Sequence, residues 1–508
     1  MHINSKLRTY SLAAVFGCSI LLSFGVASAQ NALEPTATLD VAPATIVDAQ
    51  PNYVMQQPPA SEIPFRPTMD RSAYDAAKAA ANSYAPGTVK PFSADFAPLA
   101  TPHIKFPNFN GHSSTEGLRP PDTEGAIGTN HFVEVTNSHI DMYTRTGALA
   151  KSVTLAAFFG YSTQTLFDPR VAHDSTWKRW IVTAEAFPES TTVQRFFIAV
   201  SKSDNPLGAY FVYNVDVDFF NNNDFWDFPQ LGMDQDAVLI TANIFNSGGG
   251  FVGADFFAVA KARLYNGLGF SVPVFTGLVG TLAPPIVLDQ SGLTQVIAAP
   301  PSGTTLTLYS FHDTSHPGSI GGVAHSITVG SYSVPPSAHQ SGTAVRLDTS
   351  DARFGNASTQ NGVDLWQTHT VALGSFPAPF FYRINTSTLA VSQSGFYFAS
   401  GSSDDFNTSI AANAAGDCFV TYSSTDSTVG INAQVRLSGK LSADGSILAG
   451  PVAFTSTTFY NPSGDNPERW GDYSAVTLDP SSSSSAWLVN EQINSISLWG
   501  SHIVKFGY

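Results

Sequence analysis

The sequence predicts an all-β fold of the β-propeller type, and three observations carry that prediction. From about residue 98 to the end, short runs rich in Val, Ile, Phe, Tyr and Thr alternate with clusters of Gly, Asn, Asp and Pro, the texture of strands separated by turns. No long stretch keeps a 3.6-residue apolar period. A phrase also recurs: a polar or proline-bearing start, a short apolar stretch, an Asp, Asn or Gly turn, and a second apolar stretch. Its copies begin near Asp122, Asp168, Asp227, Pro285, Arg353, Ser409 and Asp472, roughly 46 to 68 residues apart. Four short strands and their loops fill about 40–50 residues of a propeller blade. Seven copies with long loops therefore predict seven four-stranded blades. A single blade cannot bury both of its faces, whereas seven arranged radially can.

Composition narrows the class further. Of 508 residues, 43% are hydrophobic and 12% aromatic, enough for a large core, while only 12% are charged, about half the usual share. Such a surface is polar through Ser, Thr, Asn, Gln and Gly. The net charge is −15 and no basic run occurs, which argues against nucleic acid and anionic membrane as partners.

Residues 1–29 read as a signal peptide. Lys6 and Arg8 form its basic start, Leu12 to Val26 its apolar run, and Ala27-Ser28-Ala29 its cleavage pattern. A lipoprotein start at Cys18 would leave Ile20-Leu21-Leu22 apolar after cleavage, so the leader reading is preferred. No other stretch is long enough to span a membrane. The expected product is a secreted or periplasmic monomer, free or held at the cell surface. Its one remaining cysteine, Cys418, is expected in the core. Residues 30–97 form a Pro/Ala-rich linker or wrapping arm, mostly irregular, with one helix from Met69 to Ser83. The propeller domain is 98–508. Its last unit offers three strands, Ser474–Leu478, Ala486–Glu491 and Ser497–Phe506. A fourth near His103–Phe106 would join the two ends and close the ring.

Three phrases resemble those of a group of secreted bacterial β-propeller proteins of unassigned activity. They are Asp122-Thr123-Glu124-Gly125-Ala126-Ile127-Gly128 with Asn130-His131-Phe132, Phe167-Asp168-Pro169-Arg170-Val171 with Arg179-Trp180, and Arg469-Trp470-Gly471-Asp472-Tyr473 with Asp479-Pro480. The resemblance covers roughly residues 115–508. It implies a fold and a secreted location, and it implies no substrate. The Asp-box of sialidase propellers and the Trp-Asp pairs of intracellular propellers are both missing.

In a propeller the innermost strands line an axial channel, and the loops leading into them crowd one face. On that rim the repeats set Asp122, Glu124, Asp168 and Asp472 as candidate acids and bases. Paired carboxylates there would suit glycoside hydrolysis. Arg170, Asp227, Gln230, Arg353, Asn356 and Arg469 are candidate ligand contacts, and Trp226 and Trp470 are candidate platforms for a sugar ring. The bland alternative for each is turn capping, inter-blade pairing or core packing. Asp216, Asp218, Asp224 and Asp227, in an Asx-rich loop, form a candidate calcium site, and no other cofactor is expected. His173 and His369 are candidate bases that read equally as structural histidines. No zinc, P-loop or nucleophile-elbow motif occurs. The leading expectation is an exported binding module that recognises a glycan or an extracellular protein at the channel face. A carbohydrate-active hydrolase or lyase comes second, and a scaffold without a small-molecule site third.

Overall fold

A computed structural model describes residues 32–48, 55, 62–83, 100–114, 117–187 and 194–508. The expected leader and residues 84–99 lie outside these residues. Seven antiparallel meanders follow one another along the chain. The first blade runs Glu124–Ile127, His131–Val135, His139–Thr144, Leu149–Thr154. The second runs Thr165–Asp174, Arg179–Phe187, Arg195–Ser201, Ala209–Asp216, and the third Phe225–Met233, Ala237–Phe245, Phe251–Ala260, Phe270–Leu278. The fourth holds Thr281–Ala283, Thr294–Ala299, Gly303–His312 and Gly321–Tyr332, and the fifth begins at Ser358–Asn361 and ends at Ala390–Phe396. The sixth spans Asp404–Ala412 to Val452–Thr455. The short strand Pro285–Val287 pairs in parallel with the innermost strands of the third and fifth blades, joining them into one hydrogen-bonded sheet.

The seventh blade closes the ring as the sequence predicts. Its strands Ala475–Leu478, Ser485–Ser495 and Leu498–Gly507 are completed by His103–Ser113 from the other end of the chain, with Phe506 opposite Ile104 and Ile503 opposite Phe109.

Apolar clusters fill the seams between neighbouring blades. Trp487 and Val489 of the seventh meet Phe132 of the first. Phe196 of the second meets Trp226 and Phe257 of the third. Cys418 is a buried free thiol in the seam between the fifth and sixth blades, where burial pushes its pKa up to about 12. No helix among the described residues is long and apolar enough to cross a membrane.

The arm does more than link. Ala32–Leu33, Ala37–Val41 and Thr45–Asp48 add a fifth, outermost strand to the fourth, third and second blades. Outer edges are where unpaired N–H and C=O groups invite foreign strands, and the arm satisfies three of them. Its helix, Arg71–Asn82, is capped by the Asp70 side chain accepting from the Ala73 N–H (3.1 Å) and buries Tyr74, Lys78 and Ala81.

Candidate functional site

The recurring phrase has a backbone cause. Asp122, Asp168, Phe228 and Asn407 all have φ between 47° and 59°. The last three interrupt the pairing of their innermost strands: the register skips between Thr183 and Glu185 opposite Asp168, between Asp227 and Gln230, and between Phe406 and Ser409. A bulge with a left-handed residue costs roughly 1–2 kcal/mol and re-aims the side chains around it. After glycine, Asp and Asn tolerate that conformation best, which explains their place at three of these four positions. In the second, third and sixth blades the bulge turns polar groups towards the axis.

The rim residues singled out in the sequence therefore converge, but they bind one another. Asp122 accepts from the Asp472 N–H and from Asn137 Nδ2, both at 2.6 Å. Asp168 accepts from the Tyr473 hydroxyl. Arg170 donates to Glu124 (2.6 Å), to the Pro229 carbonyl (2.8 Å) and to the Gly355 carbonyl (3.1 Å), with Asn356 at 3.4 Å, and lies 3.3 Å over the Tyr473 ring. Gln230 donates to the same Gly355 carbonyl (3.1 Å). Arg353 forks onto Asp351 with two 2.8 Å bonds. Arg469 holds Asp472 (2.9 and 3.2 Å) and Asp348 (3.2 Å).

Crowding of acids in a buried layer shows in their titration. Burial, then the neighbouring Asp472 charge, pushes Asp122 up to about 7. Burial with Asp122 and Asp227 nearby holds Asp168 well above the ordinary range, and burial does the same for Glu185 and Glu491. Glu124 is raised by burial against the opposing pull of Arg170.

This layer is not an open funnel. The arm lies across it. Phe65 sits 5.0 Å from the Arg353 guanidinium and 5.5 Å from that of Arg469. Arg66 reaches Asp227 (3.5 Å), and its carbonyl accepts from Arg353 (2.6 Å). Thr68 donates twice to Asp351, and Lys78 donates to Thr349 and the Ser350 carbonyl, both at 2.7 Å. Between Asp351, Arg353, His369, Trp470 and Asp472 the layer keeps a cavity of about 40 Å3, roughly one water's share of volume and far too small for a sugar ring. A larger crevice of about 490 Å3 flanks the arm helix, walled by Phe65, Tyr74, Lys78, Asp348 and Arg469.

The axis opens at its other end. Past the Glu124–Arg170–Asn356 floor, the innermost strands line a channel of about 370 Å3 that reaches solvent at Ser175, Ala414 and Ser483. Its walls are largely apolar, with Leu231, Met233, Ile286, Leu288, Ile410 and Val476 among them.

Several expected placements change. Trp226 and Trp470 are each 1% exposed and pack among Phe196, Phe219 and Phe257, and among Phe406 and Tyr460, respectively. They are seam fillers, not sugar platforms. The Asx-rich loop does not assemble a four-carboxylate set. Asp216 and Asp218 accept from backbone N–H groups of Asp218 and Asn222, and Asp224 accepts from Asn222. Asp227 instead faces the axis, where it joins Asp168 and Glu185. That trio is the one group of three metal-ligating side chains within reach of one another among the described residues. His173 is held by Asp204 (2.8 Å), and His369 is buried between the Ala352 carbonyl (2.7 Å) and the Tyr382 hydroxyl (3.1 Å). Both serve as structural histidines. Sequence reading missed Glu185, Asp351, Tyr473 and the arm residues Phe65 and Arg66. Glu185 had one usable signal: an acid inside the otherwise apolar or neutral run Trp180 to Phe187, where an unpaired charge is rare.

The fold and the axial arrangement define an all-β propeller with a covered polar face and an open channel. No family model matches the chain, and no curated protein matches it. Among solved structures, a variant of the Synechocystis apocarotenoid oxygenase is similar with a TM-score of 0.41 and 10% identity over 69% of this chain and 74% of that one. The Parainfluenza Virus 5 hemagglutinin-neuraminidase gives 0.38 and 11% over 68% and 95%, and Trypanosoma rangeli sialidase 0.35 and 10% over 73% and 57%. Likenesses this distant carry no argument about chemistry.

Proposed function

We propose that this protein is an exported binding module whose ligand enters the open end of the axial channel, and that the ligand is an apolar segment of an extracellular protein. The channel carries this reading. Its volume of about 370 Å3 falls in the range of small-ligand sites, and apolar walls with a few polar groups at the floor are their usual chemistry. Such walls suit Leu-, Phe- or Met-bearing peptide better than a glycan, whose hydroxyls would lose hydrogen bonds there. Catalysis by Asp122, Asp168 or Asp472 is disfavoured because these groups are internally bonded beneath the arm.

The test probes the immobilised mature protein with a peptide library and a glycan array, beside the channel-filling variant Leu288→Trp. The expected outcome is peptide binding that falls at least about 10-fold in the variant at an unchanged melting temperature. Peptide binding indifferent to Leu288→Trp would sink the channel. Glycan binding that is insensitive to Leu288→Trp, yet lost when residues 30–97 are removed, would move the site to the crevice beside the arm helix. Release of reducing ends or unsaturated uronate, abolished by Asp122→Asn, would replace binding with hydrolysis or lysis.

A further inference from the structure

We infer that Asp168, Glu185 and Asp227 form a binding site for one hard divalent cation, of the calcium class, buried inside the second and third blades. One oxygen from each residue lies within 4.8 Å of the other two. Oxygens on opposite sides of a calcium ion, bonded at about 2.3–2.6 Å, stand roughly 4.6–5.2 Å apart, against about 4.2 Å across magnesium. Three oxygens no farther than 4.8 Å apart can share one such ion.

A second observation is independent of that spacing. Glu185 is fully buried, and neither of its carboxylate oxygens has a hydrogen-bond partner among the described residues. The backbone N–H of Phe228 lies close enough to favour its charged form. Asn243 stands directly opposite Asp227 in the strand register, is fully buried, and has both its side-chain oxygen and nitrogen without partners. Buried carboxylates and amides are nearly always satisfied, so a cluster of such groups around three acids points to a ligand that takes oxygen donors. A divalent cation does so. Directly opposite residues of an antiparallel pair share one face of the sheet, which makes the Asn243 side-chain oxygen a candidate neutral ligand beside the three carboxylates. Arg66, 3.5 Å from one Asp227 oxygen, balances part of the charge and ties the arm to the site. The Tyr473 hydroxyl, bonded to Asp168, puts an aromatic sensitiser next to the proposed ion.

The test uses the full mature chain, stripped with EDTA and titrated with CaCl2, MgCl2 and MnCl2 by calorimetry, with melting curves and TbCl3 luminescence in parallel. One calcium per chain, a raised melting temperature and tyrosine-sensitised terbium emission are expected. Glu185→Gln should weaken calcium binding by about 100-fold, while Asp224→Asn in the nearby loop leaves it unchanged. Asn243→Asp, which adds a carboxylate opposite Asp227, should tighten it about 10-fold and serves as the deciding variant if Glu185→Gln does not fold. A wild-type chain that takes up none of these ions overturns the inference. So do a Glu185→Gln variant that binds like wild type, an Asn243→Asp variant with unchanged affinity, and loss of binding in Asp224→Asn. None of these outcomes depends on the channel reading, which Leu288→Trp tests separately.

Discussion

Arg170 is the residue on which the most blades depend. It sits in the innermost strand of the second blade, yet its guanidinium reaches Glu124 of the first, the Pro229 carbonyl of the third, the Gly355 carbonyl leading into the fifth and the Tyr473 ring leading into the seventh. Burial works against its charge, but Tyr473 and the nearby carboxylates outweigh that and raise its pKa. Removing one partner of a buried pair leaves the other uncompensated, at about 3–5 kcal/mol. Arg170→Ala should therefore lower the melting temperature by several degrees. Arg170→Lys should recover only part, because an ammonium cannot reproduce the planar fork. A melting temperature for Arg170→Ala equal to that of wild type would refute this. Asp255 makes a different prediction. Its carboxyl is buried, accepts from the Gly277 N–H at 3.3 Å, and is pushed by burial up to about 7. An acid whose folded pKa is raised contributes stability that is fully present below its unfolded value and lost as pH rises through the folded one. The window here is roughly pH 4 to 7, and the effect reaches about 4 kcal/mol. Denaturant titrations at several pH values should show Asp255→Asn with a flatter profile across that window than wild type. Identical profiles would contradict the assignment.

At the scale of elements, the innermost strands and the arm divide the labour. The strands aim polar groups inward through bulges, and the arm covers what they aim. A chain starting at residue 98 keeps all seven blades and the closing strand but loses Phe65, Arg66, Thr68, the helix and the three outer strands. It should still fold and show near-native circular dichroism. It should melt several degrees lower, since Ile63, Tyr74 and Leu39 are buried against the propeller, and it should self-associate through the bared edges of the second, third and fourth blades. Size-exclusion chromatography and melting curves decide this. A monomer of wild-type stability would mean that the arm covers nothing of consequence. The same division explains what the sequence made legible. The blade phrase is visible because left-handed positions at the blade entries favour Asp or Asn with polar neighbours, as at Asp122, Asp168 and Asn407. The arm's contacts are invisible because they follow no period and join positions far apart, as Thr68 does with Asp351. Trp226 misled because the sequence before it is a polar loop, while its own strand faces the seam. Glu185 was hidden on the second strand of its blade, where the repeat carries no mark.

The whole molecule depends on joining its ends. Lys105, Ile104 and His103 pair with Lys505, Phe506 and Gly507 across almost the entire chain, and closing a loop of that length costs roughly 5 kcal/mol in entropy. The return comes from the seam between the seventh and first blades, where Ile503, Trp487, Val489 and Phe132 are buried and Phe109 lies 5.2 Å from the Tyr143 ring. Contacts this distant in sequence form late, so closure converts six stacked blades and an incomplete seventh into one cooperative unit. A chain starting at residue 115 lacks both the arm and the closing strand, and it should lose far more than the chain starting at 98. Its unfolding should become broad, and the edge of Leu498–Gly507 should stand open. A synthetic peptide of residues 100–114, added in excess, should dock on that edge, sharpen the transition and raise its midpoint in proportion to the logarithm of peptide concentration, as mass action requires. A peptide carrying Asp at the positions of Ile104 and Phe109 should do neither, because its backbone could pair but its side chains could not fill the seams on the two faces of the seventh blade. Equal rescue by both peptides would show that backbone pairing alone closes the ring. Equal stability of the chains starting at 98 and at 115 would show that the ring needs no closure at this seam.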